Sequence, residues 1–236
     1  MAAGRVVEIE DERSGIAAQA LGLILETFAS AERQPIDHIG MEIGEKRLGL
    51  STACDYHLLA VVDPDAERVL AVTSGVYLGG VNAGFVMYLA VERSARKQRL
   101  GRTLRVALVD RFREDAQKLG WPSLAAVVGE VRRESPWLRR LVRDRDVLPL
   151  DLNYYHPGEV PSQTPSPWLL YRQPIADDRA ALPAGEVRQL IYAIWRRAYR
   201  VRWPLTQEGF FVMLEELAGR DQVGADPRFA AEEGAS

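Results

Sequence analysis

An eight-residue run in the middle of the chain, Arg96-Lys97-Gln98-Arg99-Leu100-Gly101-Arg102-Thr103, gathers cations around one glycine. It lies between an apolar stretch, GFVMYLAV (84–91), and a segment whose apolar residues recur every three or four positions. That order reads as strand, loop and helix. The first amides of a helix lack partners within it, and the helix dipole adds partial positive charge there. Such a loop suits an anion of the pyrophosphate type, and glycine at 101 lets backbone approach a ligand with no Cβ in the way. Further on, Glu130 stands near the end of a second apolar stretch, SLAAVVGEV (123–131), and Tyr154-Tyr155-His156 fall together in an irregular segment. Carboxylates, imidazoles and phenols are the side chains that move protons in catalysis. Glu130 is read as a base, acting directly or through water, or as an ordinary strand-end carboxylate. Tyr154 or Tyr155 is read as an acid with His156 relaying a proton, or all three as packing residues at a turn.

The elements that must position these groups follow from periodicity. A short strand over 5–9 precedes a helix from Ile16 to Phe28, with Ile16, Leu21, Leu25 and Phe28 as its apolar face, and a weaker helix covers 36–48. HLLAVVD (57–63), a turn at Pro64-Asp65, RVLAVTSGVYLG (68–79) and GFVMYLAV make three consecutive strands. Leu104, Leu108, Phe112, Ala116 and Leu119 mark a helix that stops at Gly120. A buried strand over 123–131, a helix starting at Pro136, a polar linker at 161–165 and a strand over 167–175 complete a mixed α/β sheet. Residues 176–236 form a separate helical extension. One helix carries Val187, Leu190, Ile191, Ile194, Trp195 and Ala198, a second carries Phe210, Phe211, Leu214 and Leu217, and the end from Asp221 is frayed. Faces this apolar must pack, either on the same chain or in a homodimer.

The stretch Gln98-Arg99-Leu100-Gly101-Arg102-Thr103 resembles the coenzyme A motif of the GNAT N-acetyltransferase family, Gln/Arg-x-x-Gly-x-Gly/Ala, with Thr103 departing at the last position. The resemblance covers about residues 5 to 175 and implies a GNAT-type, mostly antiparallel central sheet with splayed strands. It implies acetyl-CoA or coenzyme A as cosubstrate, held by Arg96 to Thr103, with the backbone of the 84–91 strand at Leu89 and Val91 pairing the pantetheine arm between the splayed strands. The activity implied is acyl transfer, most simply of acetyl, to a primary amine of a small molecule or protein by direct attack, with no metal. Some members place a glutamate base on the strand before the loop, where this chain has Phe85. Many place a tyrosine acid and an asparagine further on, where it has Val142 and Ser135. Glu130, Tyr154, Tyr155 and His156 therefore remain as the catalytic candidates, with Tyr154 or Tyr155 protonating the leaving thiolate. Their departure from the usual set keeps open a coenzyme-binding regulatory or interaction module of weak activity.

Composition limits the other classes. The 236 residues are 47% hydrophobic and 27% charged, with a formal net charge of -3, as in globular proteins rather than nucleic-acid binders. Arg132, Arg133, Arg139 and Arg140 read as a solvated helix face, or else as an extension of the phosphate site or a contact for an acidic substrate. Arg196, Arg197, Arg200 and Arg202 lie on the polar side of a helix, where the net charge gives nucleic-acid contact no support, and nucleic acid is not an expected partner. No run reaches membrane length and no secretory signal opens the chain, so a cytoplasmic location is expected. Cys54, the only cysteine, reads as a partly buried structural thiol, and His38 and His57 as structural or incidental.

Overall fold

The computed structural model describes residues 4–50, 54–63, 65–143, 146–161 and 166–230. Pro64, most of the linker expected at 161–165, and the last six residues of the tail lie outside them. Two compact units share the chain: residues 1–79 with 86–123, and residues 80–85 with 124–236. This division falls elsewhere than the expected boundary after 175, because residues 176–230 belong to the same unit as 124–175.

In the first unit, β1 (Arg5–Glu8), β2 (Tyr56–Asp63) and β3 (Arg68–Leu78) form an antiparallel meander, with Val7 opposite Ala60 and Leu59 opposite Thr73. β4 (Ala83–Val91) is next in strand order and runs from the second unit into the first. Both β2 and β3 are buried almost throughout. Such strands read as continuous apolar runs rather than as alternation. On this sheet pack α1 (Gly15–Thr27), α2 (Ile36–Arg47) and α3 (Leu100–Lys118). α1 starts where Ser14 Oγ accepts from Ala17 N, an N-cap. Its buried face is Ala17, Ala20 and Ile24, whereas Leu25 is exposed. The expected face was displaced because side-chain size outweighed the small alanines in the pattern. On α3, Leu104, Leu108, Phe112 and Ala116 are fully buried as expected, but Leu119 is 43% exposed, because the helix ends at Lys118 and Leu119 is its C-cap.

In the second unit, β5 (Ala126–Arg132) follows β4 in the strand order and pairs antiparallel with β7 (Trp168–Pro174), which pairs β6 (Leu148–Pro149). Glu130 lies opposite Leu170. α4 (Pro136–Arg143) buries Leu138 and Leu141 in a cluster with Val147, Leu169 and Tyr171. β8 (Leu182–Pro183) leads into α5 (Ala184–Ala193), which continues as a π turn over Ile194–Ala198 rather than as one helix to Arg200. α6 (Glu208–Ala218) packs on α5, with Trp195 and Phe210 rings 5.1 Å apart. The two apolar helices thus pack within the chain, except that Phe211 is 51% exposed. The segment expected to be frayed is structured as far as it is described. β9 (Gln222–Val223) pairs β8, Ala225 bridges Leu150, and α7 (Pro227–Ala230) follows. Its order comes from buried polar contacts, above all Asp226, which a search for apolar periodicity passes over.

Candidate functional site

The basic loop belongs to the first unit. After β4 a short 3-10 turn, Arg93–Ala95, buries Ala95 and leaves 96–99 exposed. Lys97 and Arg99 then take left-handed backbone, φ +71° and +61°, which only a few per cent of non-glycine residues adopt. Arg99 caps α3 with its carbonyl, accepting from Arg102 N at 3.0 Å and Thr103 N at 3.1 Å. The amides of residues 97 to 101 meet no backbone acceptor among the described residues. A left-handed residue followed by a helical one turns successive N–H groups to the same side, an anion-binding concavity. The side chains of Arg96, Lys97, Gln98, Arg99, Arg102 and Thr103 are exposed around it, and Leu100 is half-buried. Gly101 has a packing reason of its own. A Cβ there would lie 3.2 Å from Leu89 Cδ2 and 3.7 Å from Val91 Cγ2, so glycine lets α3 close on β4, with Leu89 and Val91 beneath it. The donor set is four cations and a run of backbone amides, the chemistry a diphosphate requires.

The proton-handling candidates belong to the second unit. The Glu130 side chain is only 4% exposed. Its Oε1 lies 2.6 Å from His156 Nδ1 and also accepts from the hydroxyl of Tyr199. Since the carboxylate can only accept, Nδ1 carries the proton and Nε2 is the basic ring nitrogen. The His156 ring stacks on Trp168, centroids 5.0 Å apart at 23°, and meets Tyr199 edge-on at 4.9 Å and 79°. Trp168 is fixed in turn by Nε1 donating to Glu159 Oε1 at 2.7 Å, with Arg132 over its ring at 4.5 Å. Burial, with the Glu130 carboxylate beside it, pushes the Tyr154 hydroxyl well above its ordinary value. That makes Tyr154 a poor proton donor. Glu130 Oε2, Tyr154 Oη and Trp195 Nε1 are buried together, the Tyr154 hydroxyl facing both the Glu130 carboxylate and the Trp195 indole.

The irregular segment carrying these residues is held from several sides. Asn153 N donates to Glu216 at 3.2 Å, Asn153 Oδ1 accepts from Ser166 N, and Ser166 Oγ accepts from Trp168 N. Gly209 of α6 sits so close that a Cβ would be 3.1 Å from that of Tyr155. Tyr155 is buried there, its backbone N donating to Met213 Sδ at 3.4 Å. Glu130, Tyr154 and His156 are therefore brought together, and Tyr155 serves the α6 contact. Sequence reading missed Tyr199 and Trp195 as members of the cluster. Their spacing of four in a helical pattern, each with a polar handle, was the available signal.

His57, expected to be structural or incidental, is structural, with charged neighbours that no sequence spacing announced: its ring lies between two carboxylates, Nδ1 at 2.7 Å from Glu8 Oε1 and Nε2 at 2.6 Å from Asp115 Oδ2. Lys46 reaches Glu8 at 2.6 Å, Arg111 at 2.7 Å, and Lys118 meets Asp115 at 2.9 Å. Burial alone would raise Glu8, yet the hydrogen bonds and charges of His57 and Lys46 hold it down at about 2. Burial opposes the charge on His57, and Asp115 and Glu8 overcome it and raise its pKa. These contacts span β1, α2, β2 and α3, so the network ties the first unit together.

No family model matches the chain, and among curated proteins none matches its sequence. Solved structures do. A candidate acetyltransferase of the GNAT family from Bacteroides thetaiotaomicron aligns at 14% identity over 84% of this chain and 99% of that one, with a TM-score of 0.55. A candidate acetyltransferase from Acinetobacter baylyi ADP1 aligns at 11% over 73% and 93%, TM-score 0.51. A GNAT-family candidate from Desulfovibrio desulfuricans aligns at 14% over 74% and 100%, TM-score 0.50. The chain thus has the GNAT acetyltransferase fold, a mixed α/β arrangement with a mostly antiparallel sheet.

Proposed function

We propose that this chain is an acyl-CoA-dependent N-acyltransferase that transfers acetyl to a primary amine of a small molecule or protein. The observation that carries the reading is the left-handed basic loop at the head of α3, in a chain with the GNAT fold. Its amides and the side chains of Arg96, Lys97, Arg99 and Arg102 fit a coenzyme diphosphate, which brings with it a thioester-activated acyl group. The Glu130–His156 pair handles the proton. His156 Nε2 accepts the proton that the attacking nitrogen sheds as the C–N bond forms, and returns it to sulfur as the C–S bond breaks. Glu130 fixes the ring tautomer and stabilises the imidazolium, the division of labour of a carboxylate–histidine pair. This reading shifts the base from the Glu130 carboxylate to the ring it orients, because Oε1 is already occupied by two donors.

Two measurements test it. Calorimetric titration with coenzyme A should show affinity weakened by about 10-fold or more in an Arg99→Glu/Arg102→Glu variant, since charge-assisted hydrogen bonds are each worth ~1.5–3 kcal/mol. Both side chains are exposed, so the variant should stay folded, and undiminished affinity would overturn the loop assignment. Release of free thiol from acetyl-CoA with a mixed panel of primary amines tests turnover. Binding with no thiol release would favour the coenzyme-binding module instead.

A further inference from the structure

Tyr199 is delivered by an unusual stretch of backbone. In the π turn after α5, Tyr199 N donates to Ile194 O at 3.1 Å and Val201 N to Trp195 O at 2.9 Å. Arg200 then takes left-handed backbone, φ +55°. Single π turns within helices are rare and concentrate at functional sites. Here the widened turn keeps Trp195 fully buried against Phe210 and still sets the Tyr199 hydroxyl on Glu130 Oε1. The Tyr199 ring is held edge-on by Phe85, at 5.8 Å and 71°, and by His156. One carboxylate oxygen thus receives two donors, one from the ring it orients and one from the C-terminal helical segment. A phenol donating to a carboxylate draws charge from it and reduces what the carboxylate offers its other partner.

We propose that Tyr199 is a positioning residue for the Glu130–His156 pair: its hydroxyl fixes the carboxylate and tempers its charge, so that His156 gives up its Nε2 proton more readily than it would beside a Glu130 carboxylate that lacked this donor. The other polar groups facing the pair are Tyr154 beside Glu130, Glu159 on the Trp168 indole and Arg132 over the Trp168 ring. In its catalytic sense the assignment rests on the acyltransferase reading. Its test does not.

The three histidines of the intact chain, labelled with 15N, are titrated by NMR, with His38 and His57 as internal references. In the unmodified protein His156 should be the Nδ1–H tautomer, and an Nε2–H tautomer overturns the proposal. Tyr199→Phe keeps the ring packing and should raise the midpoint of His156 by about half a unit to one unit, the effect of one lost hydrogen bond to a neighbouring carboxylate. In a Glu130→Gln background the same substitution should move nothing, because there is no charge left to temper. A melting temperature that falls while the midpoint stays, or equal shifts in both backgrounds, would show a structural role alone and overturn the positioning role. If the amine assay succeeds, the acid limb of kcat/KM should move with the NMR midpoint. A midpoint shift in a protein with no turnover would retire the acyltransferase reading and leave the placement of Tyr199 standing.

Discussion

Replacing Glu8 by Gln isolates what the buried charge network contributes to the first unit. Glu8 is held at about 2 against an ordinary 4.5, and its side chain is 14% exposed. A depression of about 2.5 units corresponds to about 3 kcal/mol at neutral pH, at ~1.4 kcal/mol per unit. The folded state binds this proton less tightly than the unfolded chain. The contribution is therefore fully present above about pH 5 and is lost as pH falls towards about 2. His57 has the opposite sign: raised when folded, it stabilises fully below its unfolded value and stops doing so as pH rises through the folded one. Both effects describe one set of contacts and are counted once. Glutamine preserves volume but carries no charge to hold Lys46, Arg111 and the His57 ring. Thermal melts should therefore show Glu8→Gln about 6–12 °C below the unmodified protein at neutral pH, at ~2–4 °C per kcal/mol for a chain of this length. The gap should shrink to less than half by about pH 3. Melting curves that run parallel from neutral to acid, or that coincide at neutral pH, would refute the linkage.

Two further substitutions bear on β5. Gly129→Ala would place a Cβ 2.6 Å from Tyr171 Cζ, against a buried ring packed on Trp137 at 5.6 Å. A cost of about 1–3 kcal/mol should appear in the urea midpoint, and an unchanged midpoint would mean the ring swings aside without penalty. Glu130→Gln should lower turnover by about 10²-fold with coenzyme affinity unaltered in calorimetry. Unchanged turnover across pH would make Glu130 structural.

The parts of the fold legible in the sequence were those where one apolar period dominates. α3 declares itself through Leu104, Leu108, Phe112 and Ala116, all fully buried, and β2 and β3 through the apolar stretches Leu58–Val62 and Val69–Val72. The basic loop over 96–103 was legible as composition, although the left-handed turns at Lys97 and Arg99 have no one-residue signature. What stayed hidden is polar and long-range. Asp115, three residues after Phe112 and seven after Leu108, falls on the apolar side of α3 by spacing, but only the fold names its partner: it is 1% exposed and bound to His57, which lies 58 positions earlier. Tyr199 is separated from Glu130 by 69 positions. No local pattern relates two such residues, because hydrogen-bond partners across a sheet and a helix are chosen by tertiary contact.

The same reasoning explains why the C-terminal segment cannot be treated as an appendage of its own unit. An apolar extension would contribute area alone, but this one also makes hydrogen bonds and ion pairs with Pro149, Asp151 and Arg133. Asp151 N donates to Gly224 O and its carboxylate meets Arg220 at 2.6 Å. Asp226, fully buried, donates from its N to Pro149 O and pairs with Arg133 at 3.4 Å and Arg228 at 2.6 Å. Burial opposes the charge on Asp226, and Arg228 and Arg133 prevail, so its pKa is lowered. An unpartnered buried polar group costs about 1–3 kcal/mol, and a charge more. The residues around β6, and through Asn153 the loop that presents His156, are therefore satisfied only with residues 216–228 in place. The Glu130 carboxylate, through Tyr199, and the order of that loop, through Glu216, draw on one C-terminal stretch, so substitutions in α5, its π turn and α6 should register at His156 before they register anywhere in the first unit.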